Sequence, residues 1–193
     1  TVWLNKGATI SYADNFEGDE RKVNLKGEAL FHVTKNAAKP FIVNSDGASA
    51  KVLGTTFNFK DQAADGKEVI SLIEGRLEVT GLNGEGKVVL HPNQKATVSK
   101  DTKTIKTENS YALADAVWRD DIIPFNNMQI NEIAKILEQL YDYKIIVDSK
   151  LDHTKTYTGV IKRNKDIRNV LDGLSYTISF HYNIHDKEIT LSE

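Results

Sequence analysis

Apolar and polar residues alternate at every second position through most of the first 110 residues. Phe31 and Val33, for example, are separated and followed by polar residues. Such alternation is typical of strands with one buried face. Turn-forming residues interrupt the pattern at short intervals, at Gly7, Gly18, Gly27, Asn36, Gly47, Gly54, Gly66, Gly75, Gly84 and Pro92. Residues 1–110 are therefore predicted to form an all-β domain, either a sandwich or a related wound β architecture.

Two segments near the end of this region carry more specific predictions. Asn83-Gly84 stands between the apolar segments 77–79 and 88–90. It predicts a hairpin turn, because Asn-Gly tolerates positive φ. The polar stretch 100–110 is expected to form either a last edge strand or a linker.

The periodicity becomes helical after about residue 111. Apolar residues three and four positions apart predict two amphipathic helices, carried by Ile130, Ile133, Ala134, Leu137, Leu140 and Tyr141, and by Ile167, Val170, Leu171 and Leu174. Asn126 or Asn127 is the expected cap of the first helix, and Asn164 of the second. Strand-like segments flank both helices. Residues 111–193 are therefore predicted to be a small α+β domain of two strand–helix–strand units, with the helices on one face of a short sheet.

Composition and charge restrict the class of protein. A chain of 193 residues, 40% of them apolar, can build a full core. The formal net charge of −2 gives no basic footprint for nucleic acid. No apolar run approaches the about 18 residues of a membrane helix, and there is no cysteine for a disulfide or a thiolate metal site. Because the chain opens at Thr1 inside a strand-like pattern, we expect a piece of a longer protein, with its targeting information elsewhere.

No group of residues forms a convincing catalytic, cofactor-binding or metal-binding motif. Residues 81–87 fit G-x-x-x-x-G-K, but Val88 follows where a phosphate-binding loop needs Ser or Thr, and a strand follows where it needs a helix. Asp120 and Asp121 are neighbours on a predicted strand and should point to opposite faces. The histidines are dispersed, at positions 32, 91, 153, 181 and 185. The chain is therefore not expected to be an enzyme or to bind a cofactor or metal.

Two other classes of protein stay open on the sequence. A carbohydrate-binding β-domain would use Trp3, Trp118 or other surface aromatic residues as stacking platforms, although buried packing is the commoner use of tryptophan. A jelly-roll enzyme would require a bound metal.

Three consecutive segments of the first region form a series of motifs: RKVNLKGEALFHV at 21–33, KPFIV at 39–43 and VLGTTFNF at 52–59. This series resembles the FecR-like domain, the periplasmic sensor region of transmembrane anti-sigma factors of Gram-negative bacteria. The resemblance implies a signalling relay without an active site.

The second region carries its own series: WRD at 118–120, IPFNN at 123–127, INEI at 130–133, LY at 140–141, YTGV at 157–160 and VLDGL at 170–174. It resembles the C-terminal domain that accompanies FecR-like domains in Bacteroides-type proteins. That domain is similar to the short N-terminal domain of secretins and TonB-dependent transducers. The family commonly has glycine near position 121, where this chain has Asp121.

The two resemblances imply a location and partners. The chain is expected to be the periplasmic part of an anti-sigma factor anchored in the inner membrane. Its implied partner is the signalling domain of an outer-membrane TonB-dependent transducer. An extracytoplasmic-function sigma factor is expected to bind a cytoplasmic segment that precedes residue 1.

Exposed strand edges in the second domain are the expected partner-binding elements, because an edge can accept a partner strand. The two candidate strands contain Lys144, Ile145, Ile146 and Val147, and Glu188, Ile189, Thr190 and Leu191. One of these strands is expected to pair with the partner. If a strand is the docking edge, proline within it, at Ile189 or separately at Ile146, is expected to weaken binding and leave the fold largely intact. If both strands are interior, proline is expected to unfold the domain.

Overall fold

The chain is mostly β, as the sequence predicts. The computed structural model describes residues 1–62, 65–81, 84 and 86–193. The chain divides into two compact units, Thr1–Arg119 and Asp120–Glu193. No helix within the described ranges is long and apolar enough to cross a membrane.

Within the described residues, the first unit contains twelve strands and one short helix, and the second contains five strands and two helices. Those of the first unit are β1 (Val2–Leu4), β2 (Thr9–Tyr12), β3 (Arg21–Lys26), β4 (Glu28–His32), β5 (Phe41–Asn44), β6 (Ala48–Val52), β7 (Thr56–Gln62), β8 (Lys67–Glu74), β9 (Leu77–Gly81), β10 (Lys87–Leu90), β11 (Gln94–Ser99), β12 (Ile105–Asn109) and α1 (Ala112–Asp115). Those of the second are β13 (Ile122–Gln129), α2 (Ile130–Leu140), β14 (Lys144–Val147), β15 (Thr156–Lys162), α3 (Ile167–Ile178), β16 (His181–His185) and β17 (Glu188–Ser192).

Two six-stranded sheets enclose the core of the first unit. Their strand orders are β1-β4-β7-β8-β11-β12 and β10-β9-β6-β5-β3-β2. The inward-facing residues of both sheets form one buried cluster, which includes Phe31, Phe57, Phe59, Ile70, Leu72, Val43, Ala50, Leu77 and Val79. The rings of Phe31 and Phe57 stack with their centroids 5.0 Å apart. The period-two alternation therefore places apolar residues on the inner face of each sheet.

Near the end of the first region, the structure pairs the two strands that flank the predicted turn and forms a last edge strand. β9 and β10 are antiparallel, with Leu90 opposite Leu77. The predicted turn residue Asn83 lies outside the described residues, as do residues 82 and 85. Because β10 begins at Lys87, a strand and not a helix follows G-x-x-x-x-G-K. β12 is the last strand of its sheet, which confirms the edge-strand interpretation of 100–110.

Residues 111–119 belong to the first unit because polar side chains attach them to it. The indole Nε1 of Trp118 donates to Oδ1 of Asn58 at 3.1 Å, and Ser71 donates to the carboxylate of Asp115. Asn58 and Ser71 are buried. Buried polar groups require hydrogen-bond partners. The connecting segment supplies these partners to the Asn58 and Ser71 side chains of β7 and β8.

The second unit contains two separate small sheets. β13 pairs with β15, and the other sheet has the order β14-β17-β16. The first strands of the two strand–helix–strand units therefore pair with each other. α2 contacts both β13 and β14, and α3 contacts β15. The expectation of one short sheet is wrong, because the second strand of each unit pairs with β17 instead.

The two long helices begin later than the expected caps. β13 continues to Gln129, and the Glu132 carboxylate accepts a hydrogen bond from Gln129 N at 2.8 Å. The cap of α3 is Asp166, whose carboxylate accepts from Arg168 N at 3.0 Å. The expected caps Asn126, Asn127 and Asn164 therefore precede the helices, because strand pairing and local turns take up the intervening residues.

Candidate functional site

The two candidate docking strands occupy different positions in one sheet. β14 lies at an edge and pairs in parallel with β17, which lies in the middle. Glu188, Ile189, Thr190 and Leu191 therefore have strands on both sides. The expectation that they form an exposed edge is wrong, because β16 folds back against β17 and covers its second side.

The backbone of β14 presents alternate groups to β17 and to its open side. Lys144 N donates to Lys187 O at 2.8 Å, and Asp148 N donates to Leu191 O at 2.9 Å. Because successive N–H groups of a strand point in opposite directions, Ile146 also faces β17. The N–H and C=O groups of Ile145 and Val147 therefore face the open side.

A side chain of α2 occupies part of this open side. The Oε1 atom of Glu138 lies 2.7 Å from Ile145 N and accepts its hydrogen bond. Among the described residues, no strand pairs with this side of β14. Val147 therefore offers the accessible donor and acceptor, whereas the Ile145 donor is already bound.

The side chains of β14 alternate between buried and exposed positions. Ile145 is buried and packs on the inner face of its sheet. Ile146 points the other way and is 38% exposed. Sequence periodicity predicted the strand, but it carried no signal for the contact between Glu138 and Ile145, which are seven positions apart across a turn.

The second free edge of this sheet is β16, which the sequence did not single out. Leu191 faces β14, so its neighbour Thr190 faces β16, where it lies opposite Asn183. By the same alternation, the backbone groups of Tyr182 and Ile184 face away from β17. The sequence pattern of β16 is that of an ordinary hairpin strand, so only the strand order shows that it is an edge.

The first unit contains a buried charge cluster around Glu68, whose polar groups bond to one another. Glu68 is fully buried and accepts hydrogen bonds from Ser45 and from Gly47 N, the latter at 2.6 Å. Lys100 Nζ lies 3.3 Å from Glu68 and 3.1 Å from Asp61. Burial raises the pKa of the Glu68 carboxyl, against the lowering effects of these donors and of Lys100. The donors surround the carboxylate, so the cluster connects strands and turns.

The candidate sugar platforms have partners within the first unit. The guanidinium of Arg119 lies over the ring of Trp3, 4.4 Å from its centroid. Trp118 is held by its hydrogen bond to Asn58. These contacts give both rings packing roles.

The histidines do not converge. His32 Nδ1 is 2.9 Å from Thr56 Oγ1, and His153 contacts Asn131 and the backbone of Asp148. His181 and His185 are at opposite ends of β16. Within the part of the chain that the structure describes, no three His, Cys, Asp or Glu side chains are grouped to hold a metal ion.

Comparisons with known proteins agree with the two-part organisation of the motifs. The family model described as "FecR protein" matches residues 1–78, and the model "FecR, C-terminal" matches residues 122–191. A comparison with curated proteins finds no match.

Two crystal structures of a protein described as an anti-sigma factor from Parabacteroides distasonis ATCC 8503, at 1.65 and 2.50 Å resolution, are similar to this chain. Each gives a TM-score of 0.60 at 30% sequence identity, over 100% of this chain and 89% of that chain. The motifs, the family models and these structures lead to one assignment: the chain belongs to the FecR-like anti-sigma factor family.

Proposed function

We propose that this chain is the periplasmic sensor and relay region of an inner-membrane anti-sigma factor. In this proposal the second unit binds the signalling domain of an outer-membrane TonB-dependent transducer. That contact controls an extracytoplasmic-function sigma factor, which binds a cytoplasmic segment outside residues 1–193. Membership of an anti-sigma factor family supports the regulatory role.

The two units have different parts in this proposal. The first is the FecR-like all-β periplasmic domain, predicted as residues 1–110, together with the attached segment 111–119. The second, which begins at Asp120, corresponds to the small α+β domain similar to the short N-terminal domain of secretins and TonB-dependent transducers. Neither role involves catalysis.

The observation that carries the proposal is the open side of β14. Val147 presents its N–H and C=O there, and the exposed side chain of Ile146 adds apolar surface beside them. A strand of the partner can pair with this edge through main-chain hydrogen bonds. β14 is therefore the docking strand in our proposal.

The direction of the backbone groups decides which proline substitution tests docking. Proline at Ile189 or Ile146 would remove a hydrogen bond inside the sheet and unfold it, so these two substitutions do not isolate docking. Val147→Pro removes only a donor on the open side. Ile184→Pro is its matched control, because it makes the same change on the opposite edge of the same sheet.

The experiment is calorimetric binding of the whole chain to the signalling domain of the transducer encoded beside this protein. We expect saturable binding that Val147→Pro weakens at least about tenfold, the effect of losing one or two hydrogen bonds, and that Ile184→Pro leaves unchanged. Circular dichroism must show both variants folded.

Two results would contradict the proposal in different ways. If only Ile184→Pro weakens binding, the docking edge is β16. If wild-type chain shows no binding, the transducer is not the partner.

A further inference from the structure

We propose that the first unit contains a binding site for a small organic anion with an apolar body. The site is a cleft of about 360 Å³ on the surface of the first unit, around Gly54. Its volume falls in the range of ligand-binding pockets. Its principal lining residues are Lys35, Lys51, Leu53, Arg76, Glu78 and Val89.

Two close backbone approaches bring Lys35 and Arg76 near Gly54. A Cβ atom at Gly54 would lie 2.5 Å from Lys35 Cα, so only glycine permits this approach. A Cβ atom at Gly75 would lie 2.9 Å from Gly54 O, and Gly75 has φ of +95°. Gly75 immediately precedes Arg76. The fold thus holds Lys35 and Arg76 against the same short segment.

Among the described residues, neither of these two cations has an acidic partner. Within the described ranges no carboxylate lies within ion-pair distance of Lys35 or Arg76. Glu78, the acid in the lining, already pairs with Lys87 at 2.8 Å. Lys51 Nζ lies 3.3 Å from the carboxylate of Glu20, which also pairs with Lys22. The cleft therefore has a positive potential that favours an oxyanion, which Arg and Lys bind by charge-assisted hydrogen bonds.

The remaining surface of the cleft is apolar. Leu53 is 45% exposed although it follows the buried Val52 of β6. Val89 is half-buried and lies opposite Glu78 on the outer face of the sheet. None of the lining residues is aromatic, so stacking of a neutral sugar is not favoured. The fitting ligand has a carboxylate or phosphate head and a short aliphatic body.

The test is a titration of the whole chain, followed by the amide resonances of Leu53, Gly54 and Arg76 in NMR spectra. The probes are hexanoate and hexyl phosphate, with hexanamide and inorganic phosphate as partial ligands. At least one of the two full probes should shift these resonances saturably, and the tighter of them identifies the head group. Hexanamide and inorganic phosphate should each bind at least about tenfold more weakly, because each lacks one half of the interaction.

Charge variants distinguish binding in the cleft from non-specific attraction of an anion to the positive charges of the chain. Lys35→Gln with Arg76→Gln should weaken probe binding at least about tenfold. Lys6→Gln with Lys26→Gln makes the same charge change at exposed positions of the same unit and should leave binding unchanged. The absence of saturable shifts with both full probes, equal weakening by the two double variants, or equal binding of hexanamide would overturn the proposal. All four substitutions are on exposed side chains, and thermal unfolding checks that each variant is folded.

Discussion

The Glu138 carboxylate at the end of α2 accepts the hydrogen bond of Ile145 N, at 2.7 Å, on the open side of β14. Sheet edges in natural proteins are often protected by charged side chains. Here the Glu138 carboxylate already accepts the hydrogen bond of Ile145 N, a donor that a docking strand would use. A partner strand must therefore displace Glu138 or bind beyond it, at Val147.

Replacing Glu138 with alanine should open the edge of β14. We expect faster amide hydrogen exchange at Ile145 and a loss of about 1 kcal/mol in the free energy of unfolding. Binding of the proposed transducer domain should tighten by up to about tenfold, because the competing acceptor is gone. Lys135→Ala, on the exposed side of the same helix, is the control. Faster exchange together with weaker binding would instead show that Glu138 contacts the partner.

Replacing Trp118 with phenylalanine should destabilise the first unit. The change removes the indole N–H and leaves Oδ1 of Asn58 without its donor, and Asn58 is only 2% exposed. An unsatisfied buried acceptor costs about 1–3 kcal/mol. Denaturant unfolding of the whole chain would measure this loss. In an Asn58→Ala background the same substitution should cost clearly less, and equal costs in both backgrounds would show that the hydrogen bond contributes nothing.

The stability of the first unit should fall as pH rises from mildly acidic to neutral because of Glu68. Burial raises the pKa of this carboxyl above its usual value of 4.5. The folded protein therefore favours the protonated form. The resulting stabilisation is fully present below pH 4.5 and is lost as pH rises through the raised pKa. For Lys100, burial lowers the pKa, but Asp61 and Glu68 raise it by more, so this residue stays charged throughout.

Glu68→Gln should remove this part of the pH dependence. Thermal unfolding between pH 4.5 and about pH 7 should show a smaller fall in Tm for the variant than for the wild-type chain. Glu74→Gln, at the exposed end of the same strand, should keep the wild-type slope. If the two variants have the same slope, Glu68 does not control the pH dependence.

Asp121 adopts a backbone conformation that favours glycine. Its φ is +52°, and its carbonyl accepts a hydrogen bond from Arg163 N at 2.8 Å. Asp121→Gly should therefore stabilise the second unit by up to about 1 kcal/mol, and Asp121→Val should destabilise it by about 1–2 kcal/mol. Lys165→Gly, at an exposed position with negative φ, should be neutral or destabilising. Equal effects of glycine at both positions in denaturant unfolding would refute the backbone explanation.

Much of the fold was predictable because local patterns carry it. Alternation around Phe31 and Leu77 predicted strands of the first unit, and helical spacing after Ile130 predicted α2. The expected caps were wrong because β13 pairs with β15 as far as Gln129, and a single sequence contains no direct signal for where such pairing ends.

The candidate site was predictable only in part. The sequence indicated β14 as an apolar strand, but it treated Glu188 to Leu191 as an equal candidate for the edge. Glu138, Val147 and the opposite edge at Ile184 became relevant only when strand order and backbone direction were known.

By itself the sequence determined which segments are strands and helices and which family the motifs resemble. Both depend on residues close together in the chain, whose side chains alternate with a fixed local period. Only the tertiary structure decided that β17 is central and β14 is an edge, because Ile145 pairs with Ile189 across a long sequence separation. The backbone offers the same hydrogen-bonding groups at nearly every residue, so these groups do not determine which strands pair. Packing of the whole unit determines which strand lies beside which.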